Sequence, residues 1–343
     1  MRLRILSALT VAIALFVLIA LRHHVRVLRD ILHTYSSFYP LLRSYPETLL
    51  HKYPSTVGGL VEAPRIIHQI ALGNGSLTKY APAIQSCRDL HPTWEFKLWT
   101  DDKATDFMNF HYPDIAPHYT GYFQNIQRAN VLRYAVLHTF GGVYLDLDIT
   151  CLVDFETTGL LHLPFVSPGA HPAGVNNALI VAQPEHDFLA QLLKAVPTHD
   201  LAWRFPMRLP YVENMLSTGC MFFSNQWMKY AESLISNSGL GGIRVLSDES
   251  GDIAPHMLRG VVQTSLVAHG GASSWHGWDA AAIVAIGKHY KPLLASFMGF
   301  ASLLSIAALL KYLSSRSRRH RGWMAQQAEK GVLDETQHLS PAF

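Results

Sequence analysis

Two aspartates one residue apart, Asp146 and Asp148, stand in the segment Val143-Tyr144-Leu145-Asp146-Leu147-Asp148-Ile149. Its alternation predicts a strand with Val143, Leu145, Leu147 and Ile149 on one face and Tyr144, Asp146 and Asp148 on the other, the carboxylates about 6–7 Å apart. Two like charges on an otherwise apolar strand are costly unless a cation lies between them, and a hard divalent ion with oxygen ligands satisfies both. Such an ion can also neutralise a diphosphate. His269 closes the apolar run Ser265-Leu266-Val267-Ala268-His269 and precedes Gly270-Gly271, where a chain without side chains lets the backbone approach phosphate oxygens. An imidazole ligand beside two carboxylates suits Mn²⁺ better than Mg²⁺.

The elements that must position these groups are visible upstream. Ile126, Ala129, Leu132, Val136 and Phe140 recur at helical spacing, and Gly141-Gly142 stops that helix just before the aspartate strand. Asn130 and Arg133, three residues apart, point from one face of it, away from the Leu132, Val136 and Phe140 stripe; an arginine there can hold a donor sugar or a phosphate as a fork. Earlier still, Arg65-Ile66-Ile67-His68-Gln69-Ile70 reads as a strand, Ala81–Leu90 as a helix and Glu95–Asp102 as another strand. Strands alternating with helices predict an α/β sheet. Gln69, Trp99 and Asp101 then fall at carboxyl ends of early strands, where such sheets bind nucleotides.

The chain has 343 residues, 49% of them hydrophobic and 15% charged, with a net charge of +3. That composition excludes a disordered chain and a disulfide-stapled mini-protein. Basic residues cluster at the two ends beside apolar runs instead of forming a stripe on the folded part, which argues against nucleic-acid binding. Residues 5–21 read as a membrane signal anchor and residues 292–310 as a second span rich in small residues. The basic tail after the second run places both termini in the cytosol and the intervening chain in the lumen of a secretory organelle. The expected divisions are an anchor over 1–21, a juxtamembrane or stalk segment over 22–62, a globular domain over 63–289, a membrane helix over 290–312 and a basic tail over 313–343. Within 22–62, Val25, Leu28, Ile31, Leu32, Tyr35 and Phe38 recur at helical spacing, as on a membrane-surface helix. Of Cys87, Cys151 and Cys220, one pair could form in an oxidising lumen, and Asn74-Gly75-Ser76 is a glycosylation acceptor.

Several stretches in order resemble glycosyltransferase family 32. They are Pro64-Arg65-Ile66-Ile67-His68-Gln69, Leu98-Trp99-Thr100-Asp101, Arg133-Tyr134 with Gly141 to Asp148, Gly174-Val175-Asn176-Asn177, Ser217-Thr218-Gly219, and His269 with Ser273-Ser274-Trp275-His276. The last stretch resembles the sphingolipid branch of the family, fungal mannosyltransferases that build mannosyl inositol phosphoceramide. The resemblance implies a GT-A-like fold with a mixed, mostly parallel sheet over 63–289, flanked by the two membrane helices. It also implies mannose transfer from GDP-mannose to inositol phosphoceramide with Mn²⁺, retention of anomeric configuration, residence in the Golgi membrane and a calcium-binding regulatory membrane subunit as partner. It implies Asp146, Asp148 and His269 as metal ligands and Asp146, Asp148 and Arg133 as the catalytic set. Gln69, Trp99, Asp101, Asn130, Arg133, Tyr144, Asn177, Ser274, Trp275 and His276 are its donor-binding residues. The chain departs from the family where Asn130 replaces an Asp, Ala71-Leu72 a Trp and Cys220 a Pro.

Other readings compete. A relative acting on protein-linked glycans would share the same motifs. Leu145-Asp146-Leu147-Asp148-Ile149-Thr150 also has the Asp-x-Asp-x-Thr form of haloacid-dehalogenase-like phosphatases, in which the first Asp is a nucleophile. That chemistry wants a downstream acidic pair, yet Asp252 is followed by Ile253-Ala254-Pro255-His256, and the motif lies mid-chain. A non-catalytic membrane partner subunit would have no need of so costly a charge cluster.

Overall fold

The computed structural model describes residues 2–50, 62–73, 77–170, 173–200, 209–235, 243–247, 264–271 and most of 277–316. Two units are distinguished, Met1–Ala280 and Ala281–Phe343. In chain order the first contains α1 (Arg2–Ser44), β1 (Leu49–Leu50), β2 (Ile66–Ile70), α2 (Ala81–Leu90), β3 (Glu95–Trp99), α3 (Asp101–His111), α4 (Ala116–Gly121), α5 (Asn125–Phe140), β4 (Gly142–Leu145), β5 (Ile149–Cys151), β6 (Phe165–Pro168), β7 (Leu179–Ala182), α6 (Asp187–His199), α7 (Pro210–Ser217), α8 (Cys220–Ile235), β8 (Ile243–Leu246) and β9 (Val267–His269).

Seven strands form one sheet in the order β1-β8-β6-β7-β4-β2-β3. Neighbours are parallel except where β7 pairs antiparallel with β4 and with β6. The result is the expected mixed, mostly parallel sheet. One apolar cluster, built around Leu132, Val136, Phe188, Phe223 and Trp227, and a second, built around Ile67, Val143, Leu145, Phe155 and Leu179, form the core. The alternation along β4 produces this division: Val143 and Leu145 belong to the second cluster and Tyr144 to the first.

The helix stop is where the glycine pair predicts it. Gly141 closes α5 by donating its N–H to Leu137 O at 2.8 Å, and it adopts φ +63°. Gly142, at φ +97°, runs so close to β2 that a Cβ would meet Ile66 O at 2.6 Å. Only glycine accommodates both the turn and the approach.

The aspartate strand is shorter than its pattern implies. Pairing with β7 ends at Leu145, and Asp146, Leu147 and Asp148 form a turn in which Ile149 N–H donates to Asp146 O at 3.1 Å. Leu147 therefore faces the site cavity instead of the core. After the turn, β5 pairs antiparallel with β9, Ile149 opposite His269. Asp102 and Asp101 likewise leave the expected strand and open α3.

Residues of the expected juxtamembrane segment join the globular unit. Val27, Asp30, Thr34, Phe38, Leu41 and Leu42 of α1 are buried. Lys229 Nζ on α8 donates to Asp30 at 2.6 Å, Thr34 donates to Asn225 at 2.6 Å, and Phe38 meets Trp227 edge to face. Val25, Leu28, Leu32 and Tyr35, on the opposite face, are exposed. Of the apolar run 5–21 the backbone is described but many side chains are not, and the run 292–310 lies partly outside the described residues. Among those described, no helix is long and apolar enough to cross a membrane, so the flanking spans gain no support. Asn74-Gly75-Ser76 also lies outside them. Cys87 and Cys151 form a disulfide that ties α2 to β5, and Cys220 is free.

Candidate active site

The turn at the carboxyl end of β4 and the β5–β9 pair bring three ligand-capable groups together. Asp146, Asp148 and His269 each offer one ligand atom, all within 4.8 Å of one another. His269 Nε2 donates to Asp148 Oδ1 at 3.0 Å, and Gly270 N–H donates to Asp148 O at 2.8 Å. Burial opposes the imidazolium of His269, but its bond to Asp148 and the nearby carboxylate charges outweigh this and raise its pKa above the ordinary histidine value. Two carboxylates beside an imidazole fit a divalent cation, and two carboxylate oxygens with one imidazole nitrogen are a donor set that Mn²⁺ accepts.

Arg133 of α5 is 2% exposed. Its Nη1 lies 3.1 Å from Asp146 Oδ1 and donates to Asn177 O at 2.7 Å, while its guanidinium lies 4.5 Å from the centre of the Tyr144 ring. Burial disfavours that cation, yet Asp146 and its neighbours more than compensate, and its pKa is raised. Tyr144 donates its hydroxyl to the same Asp146 oxygen at 2.7 Å. Burial, with Asp146 adding to it against the opposing Arg133, raises the Tyr144 pKa and keeps this donor protonated.

Beside this cluster is a cavity of about 630 Å³. Asp146, Asp148, His269, Arg133, Tyr144, Asn130 and Asn177 all line it, as does Gly271 at φ +62°. Its apolar wall comes from Ile70, Leu72, Leu77, Tyr80, Phe123 and Met215. The strand-end residues do otherwise. Trp99 turns inward, donates its indole N–H to His68 Nδ1 at 3.2 Å and packs against Phe107 and Phe140. Gln69 is buried outside the cavity lining, whereas its neighbour Ile70, on the opposite face of β2, lines it. Asp101 accepts Gly73 N–H at 2.7 Å and pairs with Arg128 at 3.1 Å, bracing the loop after β2 against α5. None of these three, expected against the donor, lines the cavity; they support its rim or the core. Ser274, Trp275 and His276 lie outside the described residues.

Asn130 and Asn177 belong to a buried polar chain with Tyr134, Thr218 and Asn214. Asn214, Tyr80 and Phe123 line the cavity without having been singled out by motif reading. The helix before Ser217-Thr218-Gly219 was the available signal for Asn214.

Residues 78–161 match the family described as "Glycosyltransferase sugar-binding region containing DXD motif". Inositol phosphoceramide mannosyltransferase 1 of Schizosaccharomyces pombe is 32% identical over 80% of this chain and 81% of its own length. Mannosyl phosphorylinositol ceramide synthase SUR1 of Saccharomyces cerevisiae is 31% identical over 66% of this chain and 55% of that protein. Among solved structures, the PaToxG glycosyltransferase aligns with a TM-score of 0.39 and 14% identity, over 61% of this chain and 82% of that one. With the aspartate turn, the buried arginine and relatives matched along most of the chain, this protein belongs to glycosyltransferase family 32.

Proposed function

We propose that the chain transfers mannose from GDP-mannose to inositol phosphoceramide, with retention of anomeric configuration, and so forms mannosyl inositol phosphoceramide. The observation that carries this reading is the Asp146, Asp148 and His269 cluster opening onto a cavity of nucleotide-sugar size beside Arg133. The relatives' names supply the sugar and the lipid. Asp146, Asp148 and His269 would hold the divalent cation, best Mn²⁺. That ion, when bound, supplies positive charge to a departing diphosphate. Tyr144 and Arg133 keep Asp146 in one orientation. Arg133 Nη2, without a partner among the described residues, orients the donor's phosphate or sugar. Gly270 and Gly271 let backbone approach the phosphates.

The same reading places the domain in the Golgi lumen, with the termini cytosolic and a calcium-binding membrane subunit alongside. The disulfide suits an oxidising compartment, and exposed Val11, Leu15, Phe16 and Ile19 of α1 suit contact with a bilayer that holds the acceptor. The test is transfer of labelled mannose from GDP-mannose in detergent with Mn²⁺, offering inositol phosphoceramide and a protein-linked glycan in parallel. Product is expected on the lipid. Product on the glycan alone would overturn the acceptor, and labelling of neither, with any partner subunit supplied, would overturn the whole assignment.

A further inference from the structure

The polarity of the amide chain at the cavity follows from one group whose role is fixed. Thr218 O can only accept, so Tyr134 OH donates to it at 2.7 Å, and the Tyr134 oxygen must then accept from Asn177 Nδ2 at 2.7 Å. With Asn177 Nδ2 facing that way, its Oδ1 accepts from the Cys220 thiol at 2.9 Å, and its second hydrogen goes to Asn130 Oδ1 at 3.2 Å. Asn130 Nδ2 consequently donates to Asn214 Oδ1 at 2.8 Å and to Thr218 Oγ1 at 3.3 Å. Both amide hydrogens of Asn130 are spent within the protein. The chain ends at Asn214 Nδ2, which has no partner among the described residues, on a residue that lines the cavity.

Asn214 is also held rigidly. It is 1% exposed, near the end of α7, and its backbone oxygen accepts from Thr218 N–H at 3.2 Å and from Gly219 N–H at 2.7 Å. A Cβ at Gly219 would meet that oxygen at 2.9 Å, so glycine is needed for the approach. An amide locked at one end, with its other end opening onto the cavity, is set to donate to whatever ligand oxygen enters there.

We infer that Asn214 is a specificity-determining residue whose Nδ2 donates to a hydroxyl of the transferred sugar, with Asn130 and Asn177 acting as positioning residues that impose its orientation. This rests on the donor reading above. Asn214→Asp keeps the oxygen into which Asn130 donates and removes the outward donor. The experiment compares kcat/KM for GDP-mannose and for its 2-, 3-, 4- and 6-deoxy analogues in the wild type and in this variant. One analogue is expected to be between about 2- and 15-fold poorer than GDP-mannose in the wild type, as for loss of one neutral hydrogen bond, and that penalty vanishes in Asn214→Ala, whereas Asn214→Asp, whose outward oxygen accepts from the same hydroxyl, retains one. Each penalty is a ratio within one protein, so a lower folded fraction cancels; the melting temperature of Asn214→Ala is recorded beside it. Equal penalties for every analogue in wild type and Asn214→Ala would overturn the inference. Failure of the donor reading would show separately, as a wild type that does not turn over GDP-mannose; the same comparison is then run with the nucleotide sugar it does use.

Discussion

Arg133 is tolerated in the interior because Asp146 stands 3.1 Å from one of its nitrogens and the Tyr144 ring lies beneath it. Arg133→Ala would strand the carboxylate, and a loss of about 3–5 kcal/mol in urea denaturation is expected, as for breaking other buried pairs. Arg133→Lys keeps charge without the fork, so it should retain more of the stability while still losing transfer rate. Tyr144→Phe removes a hydrogen bond to an ionised oxygen, with an expected cost of about 1.5–3 kcal/mol by the same measurement. At this scale the candidates were legible where they are written locally: Asp146, Asp148, Arg133 and His269, singled out by type and spacing, do come together in the fold. Asn214 was not, because its part depends on a hydrogen bond between α7 and α5 that no single segment reveals. Trp99 and Gln69 do not line the cavity, because a strand-end position does not say which face a side chain takes.

At the element scale, the junction of α5 with β4 decides whether the aspartates are presented at all. Gly142→Ala would push a methyl into Ile66 O at a positive φ, so a loss of roughly 2 kcal/mol or more, read as a lowered melting temperature, is expected. His68, on the neighbouring β2, is buried between Gly141 O, to which its Nε2 donates at 3.0 Å, and the Trp99 indole. Burial lowers its pKa from 6.5 to about 4. As pH falls from 6.5 toward 4, the unfolded chain binds a proton that the folded chain refuses, so stability should drop by up to about 3 kcal/mol, with no such term above pH 6.5. His186 and His199, also lowered to about 4 chiefly by burial, add with the same sign. Denaturation midpoints across that range, with His68→Gln giving a shallower slope, check this. Helix α5, its glycine stop, α2 and the early strands follow from periodicity and turn residues. The break at Asp146–Asp148 does not, because strict alternation continues through it while pairing with β7 has already ended.

On the scale of the whole molecule, two distant parts of the chain must meet for the site to exist: the aspartate turn, and β9 more than a hundred residues later. The Cys87–Cys151 disulfide, closing a separation of 64 residues, fastens β5, the strand that holds β9 in register. Its reduction, or Cys87→Ser with Cys151→Ser, should lower unfolding free energy by about 4 kcal/mol on the chain-entropy estimate and weaken Mn²⁺ affinity as His269 loses its register. That long-range closure was legible only through resemblance, since spacing cannot pair residue 149 with residue 269. In the proposed function this assembled cluster is a metal centre on which the nucleotide sugar sits. Isothermal titration of GDP-mannose tests it most directly, with Mn²⁺ and with EDTA, on the wild type and on Asp146→Ala/Asp148→Ala. Metal-dependent binding by the wild type and none above background by the variant are expected. Equal affinity in Mn²⁺ and EDTA, or an unchanged variant, would contradict it.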